Sequence, residues 1–186
     1  MKIDSYADAG LLVAVELVNE LASPSRGDPQ ATDSLAALAR ILAVDPPSVA
    51  QLGPGDEPGF RALAQRLRVV VDDLSDRDVD GAAHRLNDLL AEHPAHPHLA
   101  KEEGRWRLHH HPDDAALVGM WTAICAEAIA RLVGAGYGDR LGTCVSADCS
   151  RVFIDLSKNA SRRFCSTRCQ NRVKATAFRR RRATVS

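Results

Sequence analysis

Four cysteines near the end of this 186-residue chain constrain its fold more than any other feature. They form a C-x4-C pair, a gap of fifteen residues and a C-x3-C pair, at Cys144, Cys149, Cys165 and Cys169. Thiolates are soft ligands, and a tetrahedral zinc ion takes four of them. The spacing therefore predicts one structural Zn2+ in a closed site, without the open position that a catalytic zinc keeps.

Two disulfides, or four unligated thiols, are the alternatives to a metal. Acidic residues at Asp4, Asp8 and Glu16 interrupt the apolar pattern that an export signal needs, and disulfides are rare in proteins that stay inside the cell. No apolar run approaches the length of a membrane span. We therefore expect a cytoplasmic protein without a membrane partner, in which the cysteines bind metal.

The residues around the cysteines predict a small treble-clef-like unit. Residues 151–154 look like a strand, residues 157–160 like a turn, and residues 162–164 like the returning strand of a hairpin. Ser166 is a suitable N-cap for a helix that contains Cys169 and continues through Phe178. A unit this small depends on its metal for much of its folding energy.

The preceding residues have the apolar periodicity of helices, so the chain is predicted to be mainly α. Residues 1–138 form the expected helical domain, with one small β-hairpin turning at residues 103–104, and residues 139–186 form the finger. The helical periodicity is complete without the finger, which predicts a domain that folds alone. Only about six residues separate the last helix of this domain from the finger, so the finger should dock on the helical domain or follow it closely. Prolines between the histidines of residues 93–111 disfavour a second metal site there.

Charge is divided unequally between these two units. Residues 140–186 contain twelve Lys/Arg and two acids, a net charge of +10, whereas the rest of the neutral chain has −10. Such asymmetry suggests nucleic acid as a partner, although a tail that serves the acidic domain of its own chain is the simpler alternative. The spacing of Arg168, Arg172, Arg179 and Arg182 predicts a stripe opposite the zinc face of the helix. The full set of candidate nucleic-acid contacts is Arg162, Arg163, Arg168, Arg172, Lys174, Arg179, Arg180, Arg181 and Arg182.

The run Cys169-Gln170-Asn171-Arg172 resembles the Cys-Gly-Asn-Arg signature of the CGNR zinc finger, with glutamine in place of glycine. The likeness extends to Phe153, Asp155, Ser157, Arg163, Cys165 and Lys174. Residues 15–20, VELVNE, resemble the Leu-Asp-Leu-Val-Asn-Thr stretch of the helical ABATE domain that typically precedes this finger. Within that stretch we interpret Asn19 as a buried amide bonded to a neighbouring loop. The resemblance implies a stress-induced transcription regulator.

Three function classes follow from these patterns. The first is a DNA-binding regulator, in which the helical domain senses a small-molecule effector or forms a homodimer. The second is an RNA- or ribosome-associated zinc protein; few aromatic residues are available to stack on bases, which disfavours sequence-specific binding of single-stranded RNA but not binding of duplex RNA. The third is an enzyme, and it is disfavoured because the finger contains no histidine to act as a general base or to bind a second metal. We therefore expect a protein that binds DNA and is not an enzyme.

Overall fold

The computed structural model describes residues 7–22, 34–94, 96–102, 104–109 and 115–183. For residues 7, 8, 102, 107, 108, 180 and 183 it describes the backbone only. The chain is mainly helical, as predicted. The elements are α1 (Ala7–Leu17, continued by a π-helical turn at Val18–Ala22), α2 (Ser34–Ile41, then a 3-10 turn at Leu42–Val44), α3 (Pro46–Gln51), α4 (Glu57–Ser75), α5 (Val79–Glu92), β1 (His98–Glu102), β2 (Arg105–His109), α6 (Leu117–Gly134, then a 3-10 turn at Gly138–Arg140), β3 (Leu141–Thr143), β4 (Val152–Ile154) and α7 (Thr167–Ala183).

Helices α1, α4, α5 and α6 enclose the core of the helical domain. Leu17, Phe60, Leu67 and Ile129 are fully buried in it. Helices α1 and α6 approach so closely that a Cβ atom at Gly10 would lie 2.8 Å from the Cγ2 atom of Ile124. The first helix is therefore buried in the domain.

Helix α6 is long and apolar enough, by length and composition alone, to cross a membrane. It packs between α1 and α5 and buries Trp121, Cys125 and Ile129. The core helix of a globular domain has the same composition, so this helix is weak evidence for a membrane segment.

The predicted small hairpin is present as the antiparallel pair β1–β2, with His98 opposite His109 and Glu102 opposite Arg105. Its turn includes Gly104, whose φ of +82° favours glycine. The other predicted turn residue, Glu103, lies outside the described residues.

The hairpin of the finger differs from the prediction. Strand β4 pairs with β3, so the two strands flank the first cysteine pair, and residues 162–164 form no strand. The backbone oxygen of Ile154 accepts a hydrogen bond from the Arg162 side chain (3.1 Å). The Asp155 carboxylate accepts from the backbone N–H groups of Ser157 (2.8 Å) and Arg162 (2.6 Å). These bonds close a loop after β4. They also occupy the backbone oxygen of Ile154 and the N–H of Arg162, which a returning strand would need for its own pairing.

The finger docks on the helical domain, as its short linker predicted. Leu141, Val152 and Ile154 of its hairpin are buried in the same apolar cluster as the helices. Strand β3 lies along α4, where the backbone N–H of Thr143 donates to the Ser75 hydroxyl (3.0 Å). The boundary predicted near residue 138 therefore separates two stretches of sequence that share one core.

The side chain of Asn19 joins the two units directly. Its Nδ2 donates to the backbone oxygen of Val152 (3.1 Å), and its Oδ1 accepts from the Val152 backbone N–H (2.8 Å). Asn19 is 5% exposed. The side-chain amide thus makes the two hydrogen bonds that a neighbouring strand would make to β4. The interpretation of Asn19 as a buried amide bonded to another segment is confirmed.

Candidate metal centre and nucleic-acid interface

The four predicted ligands come together at one point. The Sγ atoms of Cys144, Cys149, Cys165 and Cys169 all lie within 4.8 Å of one another. The Cys149–Cys165 and Cys165–Cys169 sulfur distances are 3.6 and 3.7 Å. A tetrahedral zinc ion with Zn–S bonds of about 2.3 Å requires sulfurs about 3.8 Å apart. All five cysteines of the chain are free, so the four thiols fit one zinc ion and the disulfide alternative is not present.

Local backbone structure positions each ligand. Cys144 follows β3, and its N–H donates to the Arg151 oxygen across the hairpin (2.9 Å). The N–H of Cys149 donates to the Ser146 oxygen (2.9 Å) and closes the turn between the first two ligands. Cys165 lies just before α7 and Cys169 lies in its first turn. The Ser166 hydroxyl accepts from the Cys169 N–H (3.3 Å), which confirms the predicted cap.

Burial and the neighbouring thiols shift the pKa values of three of the four cysteines. Burial raises the pKa of Cys165 to about 12 and also raises the pKa of Cys149. Burial opposes ionisation of Cys169 as well, but hydrogen bonds from Ser166 and the neighbouring thiols lower its pKa overall. Four adjacent thiolates repel one another, and a divalent ion removes that repulsion. The donor set therefore suits zinc, whose role here is structural.

Arg172 lies beside the metal site rather than opposite it. Its Nη2 donates to the Ser146 hydroxyl (3.0 Å) and lies 3.6 Å from the Cys169 sulfur. The predicted arginine stripe opposite the zinc face is therefore wrong at this residue. Residues three apart on a helix are neighbours, so the spacing from Cys169 already indicated this position. Arg172 supplies a positive charge to a ligand sulfur.

Arg162 is also occupied within the finger. Its guanidinium donates to the backbone oxygens of Ile154 (3.1 Å), Phe164 (2.9 Å) and Cys165 (2.5 Å). It also lies over the Phe153 ring, 5.2 Å from the ring centroid. Arg162 therefore braces the loop before α7, and its role as a nucleic-acid contact stays a prediction.

Asp155, whose carboxylate anchors the same loop, is absent from the predicted site residues. Its place among the residues that resemble the family motif could have indicated its role. Asp155 is 2% exposed. Burial alone would raise its pKa, but hydrogen bonds from Ser157 and Arg162 and the nearby Arg140 guanidinium lower it. Asp155 therefore remains a carboxylate that accepts the two backbone N–H groups.

The remaining candidate contacts lie on exposed parts of the finger. Arg163 is exposed before α7, and within α7 every described side chain from Asn171 to Arg182 is exposed. Phe178 is 60% exposed, and the Arg182 guanidinium lies 5.8 Å from the centroid of its ring. The side chain of Arg180 lies outside the described set. Exposed cations on α7 are Arg168, Arg172, Lys174, Arg179, Arg181 and Arg182.

Two protein-family models match the chain. The CGNR zinc finger matches residues 140–182, the segment that contains the four cysteines and α7. ABATE, described as "Putative stress-induced transcription regulator", matches residues 12–136, which is more than half of the chain. The chain belongs to the ABATE family. The ABATE match ends just before β3, so the contact between Asn19 and Val152 joins the two matched segments. No curated protein matches this ABATE-family chain.

Proposed function

We propose that this ABATE-family protein is a transcription regulator that binds duplex DNA through α7, with zinc as the structural ion that positions this helix. The observation that supports the proposal is the charge and exposure of α7. The helix contains seven Lys/Arg and no acid, and its described residues after Gln170 are exposed. Like charges along one exposed helix repel one another, and an anionic partner removes that repulsion.

The shape of α7 also suits a duplex. Seventeen residues make a helix about 25 Å long, and the major groove of B-DNA admits one α-helix. The helix is attached to the finger through its first two turns, by Cys169 and by the Arg172 contact with Ser146. Zinc binding would therefore set the direction in which the helix projects.

The alternative that the basic tail pairs with its own helical domain has less support. Acids of that domain already form ion pairs with its arginines, at Arg40–Glu20, Arg61–Glu57, Arg66–Glu92, Arg68–Asp72, Arg85–Asp73 and Arg131–Glu127. Within the described residues, an ion pair between the two units joins Glu20 to Arg151 of the hairpin (3.4 Å). These acids are committed to positions that stabilise the domain and its docking.

Duplex DNA is preferred over single-stranded RNA because of the aromatic residues. Phe153 is 7% exposed and is covered by Arg162, and Phe164 is half-buried. Phe178 is the exposed phenylalanine of the finger within the described residues. Stacking of successive bases needs several accessible rings. The proposed protein is a cytoplasmic DNA-binding protein and not an enzyme. Its helical domain responds to a small-molecule effector or forms a homodimer.

The salt dependence of binding tests the proposal. Each phosphate contact releases condensed counterions, so about five to seven contacts give a slope near −5 to −6 for log affinity against log salt. We expect this slope for the zinc-loaded full chain on a short DNA duplex. Replacing Arg179, Arg180, Arg181 and Arg182 with Ala should flatten the slope and weaken binding to all sequences about equally.

A control variant removes two exposed arginines from the helical domain instead, through Arg40→Ala and Arg105→Ala, and should leave the slope unchanged. A DNA affinity that does not change with salt concentration contradicts the proposal. So does a quadruple α7 variant that binds DNA as tightly as the unmodified protein. A preference for structured RNA over the DNA duplex would support the RNA-binding alternative.

A further inference from the structure

We infer that α7 recognises base sequence through the side opposite its metal ligand, formed by Thr167, Asn171, Lys174 and Phe178 and here called the base-contact face. This inference rests on the proposed function and extends it, because it assigns sequence discrimination to particular residues. It also differs from the predicted arginine stripe, in which Arg168 and Arg172 were candidate nucleic-acid contacts.

The position of the base-contact face follows from how α7 is attached. Cys169 is 7% exposed and faces the metal, and Arg172 lies on the same side, in contact with Ser146 and the Cys169 sulfur. At about 100° per residue, Thr167, Asn171, Lys174 and Phe178 lie at about 160°, 200°, 140° and 180° from Cys169. All four are exposed. A duplex that approaches α7 from outside the finger therefore meets these residues first.

Cations border this face on both sides, as a helix in the major groove requires. On the same scale Arg181 lies at about 120° from Cys169, whereas Arg168 and Arg179 lie at about 260° and 280°. Two cations belong to the face itself: Lys174, and Arg182, which lies at about 220° from Cys169 with its guanidinium 5.8 Å from the centroid of the Phe178 ring. Side chains at the flanks of a helix in the groove point toward the two phosphate backbones, and those at its centre point toward base edges. The arrangement separates phosphate contacts from base contacts.

The side chains of the face have the chemistry of base readout. An asparagine amide forms two hydrogen bonds with N6 and N7 of adenine, and a lysine ammonium donates to O6 and N7 of guanine. An exposed aromatic or methyl group packs on the methyl group of thymine. Phe178, 60% exposed, would lose its contact with water there. The partner is therefore a mixed-sequence DNA duplex that is contacted in its major groove, with Asn171 at an adenine and Lys174 at a guanine.

The test starts with selection of preferred sequences from random DNA duplexes by the zinc-loaded full chain. Asn171→Ala and Lys174→Ala should each lose about tenfold or more in discrimination at one base position, while the salt dependence of binding to random DNA is kept for Asn171→Ala. The matched control is Thr176→Ala. Thr176 is also exposed on α7, but it lies toward the metal side and its hydroxyl donates to the Arg172 oxygen (3.1 Å).

A modified duplex identifies the contact with Asn171. 7-Deazaadenine lacks the N7 acceptor of the major groove, so it should weaken binding of the unmodified protein and leave binding of Asn171→Ala unchanged. Two outcomes would overturn the assignment of the base-contact face and leave the proposed function standing. One is DNA binding that weakens with salt but shows no sequence preference, and the other is a sequence preference that both variants keep. Absence of salt-dependent DNA binding by the unmodified protein overturns the proposed function as well.

Discussion

The arginines of the finger differ in what their guanidinium groups contact, although each adds the same charge. Arg162 braces three backbone oxygens, Arg172 contacts a ligand sulfur, and Arg168 is exposed one residue before Cys169. Sequence reasoning grouped them as candidate nucleic-acid contacts because formal charge was the property that it could count. The cysteines were easier to predict, since four thiols at this spacing are typical of a metal site.

The contact of Arg172 with the metal site predicts an effect on zinc affinity. Arg172→Ala should weaken zinc binding by about 10- to 100-fold, because residues that hydrogen-bond to metal ligands orient them and stabilise their charge. Competition with a chromogenic chelator measures this affinity, and the unmodified protein should bind about one zinc ion per chain. Arg168→Ala removes the same charge without a sulfur contact and should bind zinc normally. Equal losses in both variants would mean that only net charge matters.

Among the elements, the helices could be predicted closely and the finger hairpin could not. Helical periodicity is a local property that a short stretch of sequence shows, and α5 begins after Asp78, whose carboxylate accepts a hydrogen bond from the Gly81 N–H as an N-cap. The partner of β4 is only three residues long, Leu141–Thr143, and has no alternation to recognise. The other neighbour of β4 is the side chain of Asn19, 133 residues away. Pairing over that distance depends on tertiary structure.

The bond pattern of Asn19 predicts a large stability effect from one side chain. Asn19→Ala leaves the N–H and oxygen of Val152 buried without their partner, and each such group costs about 1–3 kcal/mol. We expect a loss of about 2–4 kcal/mol in the free energy of unfolding, measured by urea denaturation. Glu16→Ala, an exposed change on the same helix, is the control and should have little effect. A loss below about 1 kcal/mol for Asn19→Ala would show that solvent replaces the amide.

At the scale of the whole molecule, the acidic helical domain and the basic finger share a core. The finger contributes Leu141, Val152 and Ile154 to the apolar cluster, and it adds polar contacts to α4 through Thr143. The sequence indicated that residues 1–138 would fold alone, because helical periodicity does not show which apolar surface another segment covers. The structure now leads us to expect that this fragment is less stable than the full chain.

Removal of zinc from the full chain tests this coupling. The metal holds together the two ends of the finger, and β4 bonds to Asn19, so zinc loss should loosen the hairpin and expose part of the helical core. We expect the helical circular dichroism signal to unfold in one transition whose midpoint falls by about 5–10 °C on chelation, which corresponds to a few kcal/mol for a chain of this size. The Asn19→Ala variant should show a smaller shift, since its hairpin is already uncoupled. Helical unfolding with the same midpoint with and without zinc would contradict the coupling and would show that the helical domain is independent of the finger.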